Sequence, residues 1–194
     1  MKTVRVSGAI AAAMALGATA VALAAYGDDS DEADASTQAV VPEGVAAEQE
    51  TIETEVSAEG GETTSGPWRI AYIVEPAEPW FAGERFRRPA TGETHHIEIL
   101  PIEAATGRVV PEVPIRLEVL DQNGQVVDSA RLNLYYAEFF HYANNFEIPE
   151  DGSYDLRATI EPPTLLRHGE EADGPPLAEG AKVTFEDVEL VAEA

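Results

Sequence analysis

Alternating apolar and polar residues along most of the chain predict short β-strands. In the first such segment, Trp68, Ile70, Tyr72 and Val74 share one apolar face, because successive side chains of a strand point to opposite sides of a sheet. A shift of the alternation near Glu186 predicts a β-bulge in the last strand, and no stretch has a convincing helical period. The predicted strands cover residues 68–75, 95–103, 113–120, 126–134, 139–148, 153–161 and 181–191.

The segment from Phe139 to Glu161 predicts a β-hairpin at the centre of the fold. Its connection, Pro149–Gly152, has the chemistry of a tight turn, because proline presets its own φ and glycine accepts positive φ. The core face of its first strand carries Phe140, Tyr142, Phe146 and Ile148. The opposite face carries His141 and Asn145, which we therefore expect to point away from the core.

About seven or eight short strands separated by turn sequences predict an all-β protein, an antiparallel immunoglobulin-like β-sandwich. The Asn-Gly pair at residues 123–124 is a strong signal for a hairpin between its flanking strands. Residues 76–92 are predicted to form an irregular loop. Within that loop we expect Trp80 and Phe81 to pack over the core as a plug.

The N-terminal third of the chain has a different composition, which predicts export. Lys2 and Arg5 precede an uncharged Ala/Val/Leu run, so residues 1–25 are predicted to be a signal peptide. An uncleaved membrane anchor is the alternative. Residues 26–65 are acidic and lack lysine and arginine, which predicts a disordered tether, and residues 66–194 make the folded domain. We expect an exported protein, in the periplasm or at the cell surface.

The charge of the chain argues against several classes of partner. Aspartate and glutamate number 36 against 12 lysines and arginines, a formal net charge of −24. Nucleic acids and anionic membranes attract clustered positive charge, so we expect neither nucleic-acid binding nor membrane insertion of the folded domain. The chain has no cysteine, and both methionines, Met1 and Met14, lie in the predicted signal peptide. A metal ion in the folded domain must therefore be held by nitrogen and oxygen atoms.

The four histidines are the candidates for such a site. His96 and Glu98 share the outer face of one predicted strand, two residues apart, and can grip one cation between them. His95 falls on the apolar face of the same strand and is expected in the interior. His141 lies on the outer face of another predicted strand and His168 in a loop, where an ordinary surface or loop role is the alternative to ligation.

Three short motifs resemble the periplasmic ferrous-iron transport proteins, immunoglobulin-like homodimers that bind copper and iron and accompany an iron permease of the inner membrane. The resemblance runs from about Thr94 to Leu190. Its motifs, in the family's order, are His96-Ile97-Glu98, then His141-Tyr142-Ala143-Asn144-Asn145, then Ile160-Glu161-Pro162-Pro163 followed by Arg167-His168. The resemblance implies that His96, His141 and His168 are imidazole ligands and Glu98 a carboxylate ligand, near a dimer interface.

Two positions depart from the family's pattern. Copper-binding members have a methionine a few residues before the His-Tyr motif, where this chain has Leu134, and a glycine where it has Ala143. Leucine cannot coordinate a metal, so we expect a weakened preference for Cu(I). The remaining imidazole and carboxylate ligands suit a divalent ion of iron, copper or manganese.

The candidate ligands predict a non-enzymatic metal-binding protein. The resemblance implies that it belongs to an iron-uptake system, captures a divalent ion and passes it to an inner-membrane iron permease. The alternative is a cell-surface interaction module of the same fold that binds no metal. A hydrolytic enzyme is disfavoured because neither a Gly-x-Ser-x-Gly nor a His-Glu-x-x-His motif is present. If imidazoles hold the ion, binding should be lost below about pH 6, where imidazole becomes protonated.

Overall fold

The computed structural model of the protein describes residues 43–171 and 174–192. Within these ranges one α-helix precedes twelve β-strands. The elements are α1 (Glu43–Glu59), β1 (Gly60–Ser65), β2 (Trp68–Pro76), β3 (Trp80–Ala82), β4 (Arg85–Arg87), β5 (His95–Glu103), β6 (Arg108–Val109), β7 (Ile115–Leu120), β8 (Val126–Arg131), β9 (Asn133–Tyr136), β10 (Phe140–Phe146), β11 (Gly152–Ile160) and β12 (Ala181–Leu190).

Most of the strands form two antiparallel sheets that enclose one apolar core. The larger sheet has the strand order β1-β2-β5-β10-β9, with β6 paired to β5, and the smaller has the order β12-β11-β7-β8. Side chains from both sheets are fully buried between them, including Trp68, Ile99, Phe146, Leu117 and Leu156. The antiparallel β-sandwich predicted from the alternation is confirmed.

The connection between β10 and β11 is not the predicted hairpin. β10 pairs with β5 and β9 in the larger sheet, whereas β11 pairs with β7 and β12 in the smaller one. The backbone N–H groups of Glu147 and Ile148 donate to the side chains of Asp128 (2.9 Å) and Thr94 (3.3 Å). The prediction was wrong because alternation shows only that a strand has an apolar face. Two consecutive strands can bury such faces either as partners in one sheet or as members of two facing sheets. Phe140, also expected in the core, is 45% exposed.

The Asn-Gly turn at residues 123–124 joins β7 and β8, as predicted. The Asp121 carboxylate accepts hydrogen bonds from two backbone N–H groups of the turn, at 2.9 and 2.8 Å, and Gly124 adopts a φ of 75°. The segment 126–134, however, is two strands rather than one. β8 belongs to the smaller sheet and β9 to the larger, so the chain changes sheets at the buried Leu132.

Helix α1 covers the outer face of the larger sheet. Its two buried side chains, Ile52 and Val56, are one helical turn apart and pack against a second apolar cluster that includes Ile73 and Leu100. Strand β1 then pairs with β2 at the edge of the sheet. The Arg69 guanidinium on β2 donates to a β1 carboxylate at 3.2 Å. The larger sheet is therefore buried on both faces around β5.

This helix and strand correct the predicted domain boundary. The disordered tether predicted for residues 26–65 is wrong from Glu43 onward. The helix was missed because its buried stripe is only two residues wide, and the rest of its surface is acidic or small. The predicted signal peptide and the remainder of the tether lie in residues 1–42, outside the described residues. Among the described residues, no helix combines the length and apolar character needed to cross a bilayer.

The predicted irregular loop contains a two-stranded hairpin, β3–β4. Phe81 is 69% exposed, and its ring stands 5.1 Å from that of Phe86, so it does not plug the core as predicted. Trp80 is half-buried and meets the ring of Tyr135 edge-on at 6.2 Å, on the outer side of the larger sheet. The prediction was wrong because it considered only the sandwich core, whereas the outer face of the larger sheet is also covered by other parts of the chain.

The β-bulge predicted in the last strand is confirmed. The register between β11 and β12 shifts between Tyr154 and Leu156, so that Glu186 and Asp187 lie opposite Asp155. Asp187 adopts a φ of 56°, and its backbone N–H donates to the Asp155 carboxylate at 3.2 Å.

Candidate metal centre

Two neighbouring strands of the larger sheet bring the predicted ligands together. β5 and β10 pair so that Glu98 lies opposite Ala143 and His96 lies opposite Asn145. His141 is two residues before Ala143 and therefore shares its face of β10. Ala143 is fully buried on the same face as the three larger side chains.

The ligand atoms of His96, Glu98 and His141 lie within 4.8 Å of one another. The Glu98 Oε1 atom is 3.4 Å from His141 Nε2 and 3.9 Å from His96 Nε2. All three side chains are more than nine-tenths buried. Two imidazole nitrogens and a carboxylate at these separations make a donor set that one transition-metal ion can bind.

Asn145 orients the His96 imidazole. His96 Nδ1 is 2.8 Å from Asn145 Oδ1. The Asn145 amide is itself held by Glu78, whose backbone N–H donates to Oδ1 (3.2 Å) and whose carbonyl accepts from Nδ2 (2.8 Å). Because Oδ1 can only accept, His96 Nδ1 must donate. The lone pair of His96 Nε2 is therefore directed toward Glu98, as metal-ligating histidines require.

Burial sets the protonation states of the three groups. Burial, reinforced by the neighbouring His96, lowers the pKa of His141 to about 4, and burial also lowers the pKa of His96. Burial, together with repulsion from nearby carboxylates, raises the pKa of Glu98 to about 8. At neutral pH the imidazoles are thus uncharged and Glu98 holds a proton. Glu98 Oε2 and His141 Nδ1 have no hydrogen-bond partner among the described residues.

Two of the three ligands, Glu98 and His141, line a carboxylate-rich cavity of about 210 Å³. The walls come from helix α1, strands β2 and β5, and the loops after β2 and β9. Its carboxylates belong to Glu55, Glu75, Glu78, Glu98 and Glu138. Burial, followed by repulsion among these groups, raises the pKa of Glu55 and of Glu75. The carboxylates gathered here favour occupation of the cavity by a cation.

On the other side, a cavity of about 620 Å³ opens between the β3–β4 hairpin and β9, and His96 and His141 are among the residues that line it. Tyr135 stands opposite His141 on the neighbouring strand, with the two rings stacked at 5.6 Å and 4°. Leu134, at the position of the expected methionine, also lines this cavity and is 41% exposed. The site thus has an acidic side and an aromatic side.

Three of the four predicted ligands come together, and the fourth does not. His168 is exposed in the loop after β11 and is not part of the group. His95 lies in the interior, as predicted. His141 and Asn145 do occupy the face away from the sandwich core, but they are buried, because α1 and the chain around β3 cover that face.

The sequence reasoning missed the acidic cavity and Tyr135. Glu75 could have been found from the sequence. It is a polar residue near the end of a predicted strand, and it lies directly opposite His96 when β2 pairs with β5. Glu55 had none, since it lies on the unpredicted helix. Tyr135 was missed because the predicted strand ended at residue 134, and attention fell on Leu134 as the position of the expected methionine.

Solved structures of known proteins share the fold. FetP of uropathogenic Escherichia coli superimposes with a TM-score of 0.58 and 19% identity, over 70% of this chain and 96% of the FetP chain. A copper-bound variant of Campylobacter jejuni P19 gives a TM-score of 0.58 and 18% identity, over 70% of this chain and 98% of that one. A copper-bound FetP variant gives a TM-score of 0.57 and 19% identity, over 70% and 92% of the two chains. Among curated proteins, none matches this chain.

The fold and the site define a β-sandwich protein with a buried imidazole and carboxylate set for a metal ion. Residues 92–190, just over half of the chain, match the Fe2+ transport protein family. The chain belongs to that family, as the three short motifs implied. The matched range contains His96, Glu98, His141 and His168.

Proposed function

We propose that this protein is exported, binds a divalent metal ion, and passes the ion to an iron permease of the inner membrane. The observation that carries the proposal is the convergence of His96, Glu98 and His141, with ligand atoms within 4.8 Å. Their burial and the neutral state of both imidazoles leave the nitrogen lone pairs available. Membership of the Fe2+ transport protein family supports iron as the physiological ion.

Manganese and copper are the other candidates. The solved FetP and P19 variants are copper-bound, which supports copper as an ion for this fold. Leu134 offers no thioether, so the nitrogen and oxygen donors favour Fe(II), Mn(II) or Cu(II) over Cu(I). The proposed role is capture and transfer without chemical conversion of a substrate.

We propose a homodimer in which His168 of a second copy completes the site. Within one chain His168 does not join the group, yet it lies in an exposed loop beside Leu166, whose side chain is fully exposed. An imidazole and an apolar side chain presented together suit a contact with another copy. His168→Ala should weaken both ion affinity and ion-dependent dimerisation in sedimentation, while an unchanged dimer and affinity would remove His168 from the site.

Titration calorimetry of the full-length protein with Fe(II), Mn(II), Cu(II) and Zn(II) tests the central claim. We expect stoichiometric binding that is lost in the double variant His96→Ala/His141→Ala and retained in the control Glu150→Gln, an exposed carboxylate outside the site. Equal binding by the double variant and the original protein would place the ion elsewhere. No binding by either would leave the family's fold without its function.

A second candidate function is an interaction module, which the β3–β4 hairpin favours. Its exposed Phe81 and Phe86 pack together, and the Arg88 guanidinium lies 5.2 Å over the Phe86 ring. This basic, apolar surface on an acidic protein suits an acidic partner. Under this alternative, Phe81→Ser with Arg88→Glu abolishes partner capture and the double histidine variant does not.

A further inference from the structure

The aromatic side of the site contains an oxygen donor that neither the sequence motifs nor the family match assigns. Tyr135 lies on β9 directly opposite His141. Its ring stacks on His141 at 5.6 Å and 4°, and it meets the His96 ring edge-on at 5.6 Å and 85°. A single tyrosine thus contacts both imidazoles of the proposed site.

The hydroxyl of Tyr135 is buried and has no hydrogen-bond partner among the described residues. A buried tyrosine hydroxyl normally finds a partner, and a native group without one calls for an explanation such as a bound ion. The second polar atom of two ligand residues, Glu98 Oε2 and His141 Nδ1, is also without a partner. Of the four buried side-chain atoms without a partner among the described residues, three thus belong to Tyr135, Glu98 and His141, and the fourth is His95 Nε2.

Leu134, the residue before Tyr135, explains why an additional metal ligand matters at this site. Leu134 has no atom that can coordinate a metal, and the chain has no cysteine and no methionine beyond residue 14. A soft sulfur ligand is therefore absent from the site, and a phenolic oxygen is a hard ligand. Hard oxygen ligands favour ions of higher charge over soft ions such as Cu(I).

We propose that Tyr135 is a ligand of the bound ion, and that it adapts this site to a divalent ion such as Cu(II) rather than to Cu(I). The inference rests on the proposed function, since it places Tyr135 beside the same His96, Glu98 and His141. On coordination the phenolic oxygen forms the bond to the ion and its proton passes to solvent. The oxidation state of the ion does not change in this step.

The test is spectroscopic, because phenolate bound to Fe(III) or Cu(II) gives a charge-transfer band in the visible range. The full-length protein is titrated with Cu(II) chloride and with Fe(III) citrate, and the band is assigned by resonance Raman scattering from phenolate vibrations. Tyr135→Phe should lose the band and bind Fe(III) at least about tenfold more weakly. The control Tyr136→Phe alters a ring that is 76% exposed and should keep the band.

The ion-free protein separates ligation from a structural role. Because the Tyr135 hydroxyl has no partner there, Tyr135→Phe should leave the urea midpoint unchanged or raise it. Ion binding by the original protein without the band, and equally by Tyr135→Phe, would overturn the Tyr135 assignment and leave the proposed function standing. Failure of the original protein to bind either Cu(II) or Fe(III) would overturn the Tyr135 assignment. The calorimetric titration with Fe(II) and Mn(II) decides the proposed function separately.

Discussion

Glu98 should make the ion-free protein less stable as the pH rises from 6.5 to about 8. Burial and neighbouring carboxylates raise its pKa from 4.5 to about 8 in the folded protein. Between these values the folded state holds a proton that the unfolded state has lost. The stabilisation is fully present below the unfolded pKa of 4.5 and is lost as the pH rises through about 8, with a slope of about 1.4 kcal/mol per pH unit.

The histidines confine this effect to a clear window. The pKa of His141 falls from 6.5 to about 4 on folding, so this group destabilises the protein only as the pH drops below 6.5. His95 and His96 also have lowered pKa values and act in the same direction. Between pH 6.5 and 8 the histidines therefore contribute little. The raised pKa of Glu98 corresponds to a loss of about 2 kcal/mol over a window of that width.

Glu98→Gln is the perturbation that isolates this carboxyl, because the amide has nearly the same shape and does not titrate. Urea unfolding at a series of pH values, on protein treated with a chelator, gives the free energy of unfolding. We expect the original protein and the control Glu150→Gln to lose about 2 kcal/mol between pH 6.5 and 8, and Glu98→Gln to lose much less. A slope unchanged by Glu98→Gln would refute the assignment of a raised pKa to this group.

Three further predictions follow from the same contacts. Ion affinity should rise about tenfold per pH unit up to about pH 8, because binding displaces the Glu98 proton. Calorimetry at a series of pH values measures this affinity. An affinity that is constant above about pH 6 and lost below it would mean that imidazole protonation controls binding instead. Asn145→Ala should weaken ion binding about 10- to 100-fold by freeing the His96 ring, and unchanged affinity in calorimetry would remove Asn145 from this role. Ile52→Ala should cost about 2 to 5 kcal/mol in urea unfolding while the exposed control Ser57→Ala costs little, and equal small effects would mean that α1 is dispensable.

The strands were predictable from the sequence because their alternation follows directly from the geometry of extended chain. Their partners were not, since Tyr142 and Leu156 lie on strands of different sheets and are buried in the same core rather than side by side in one sheet. Pairing is a long-range property, and alternation reports only which side chains share a face. Helix α1 was missed for a related reason, because its stability comes from burying Ile52 and Val56 against a sheet formed far along the chain.

The ligand set was predictable to the extent that it depends on strand faces. The alternation placed His96 and Glu98 together, and the family resemblance added His141. The burial of the site was not predictable, because it depends on α1 and the β3–β4 hairpin covering a face that was expected to meet solvent. Since burial shifts the pKa values of Glu98 and His141, the expected loss of binding below about pH 6 assumed solvent-exposed imidazoles.

Strand β5 begins with two consecutive histidines that point in opposite directions. His95 faces the sandwich core beside Phe146, and His96 faces the ligand group. A shift of β5 by one residue against its neighbouring strands would exchange the two faces. His95 would then point to the metal site, and His96 would point into the apolar core. A one-residue shift of β5 against its neighbours would therefore inactivate the protein more thoroughly than replacing any single ligand, because it would misplace every side chain of the strand.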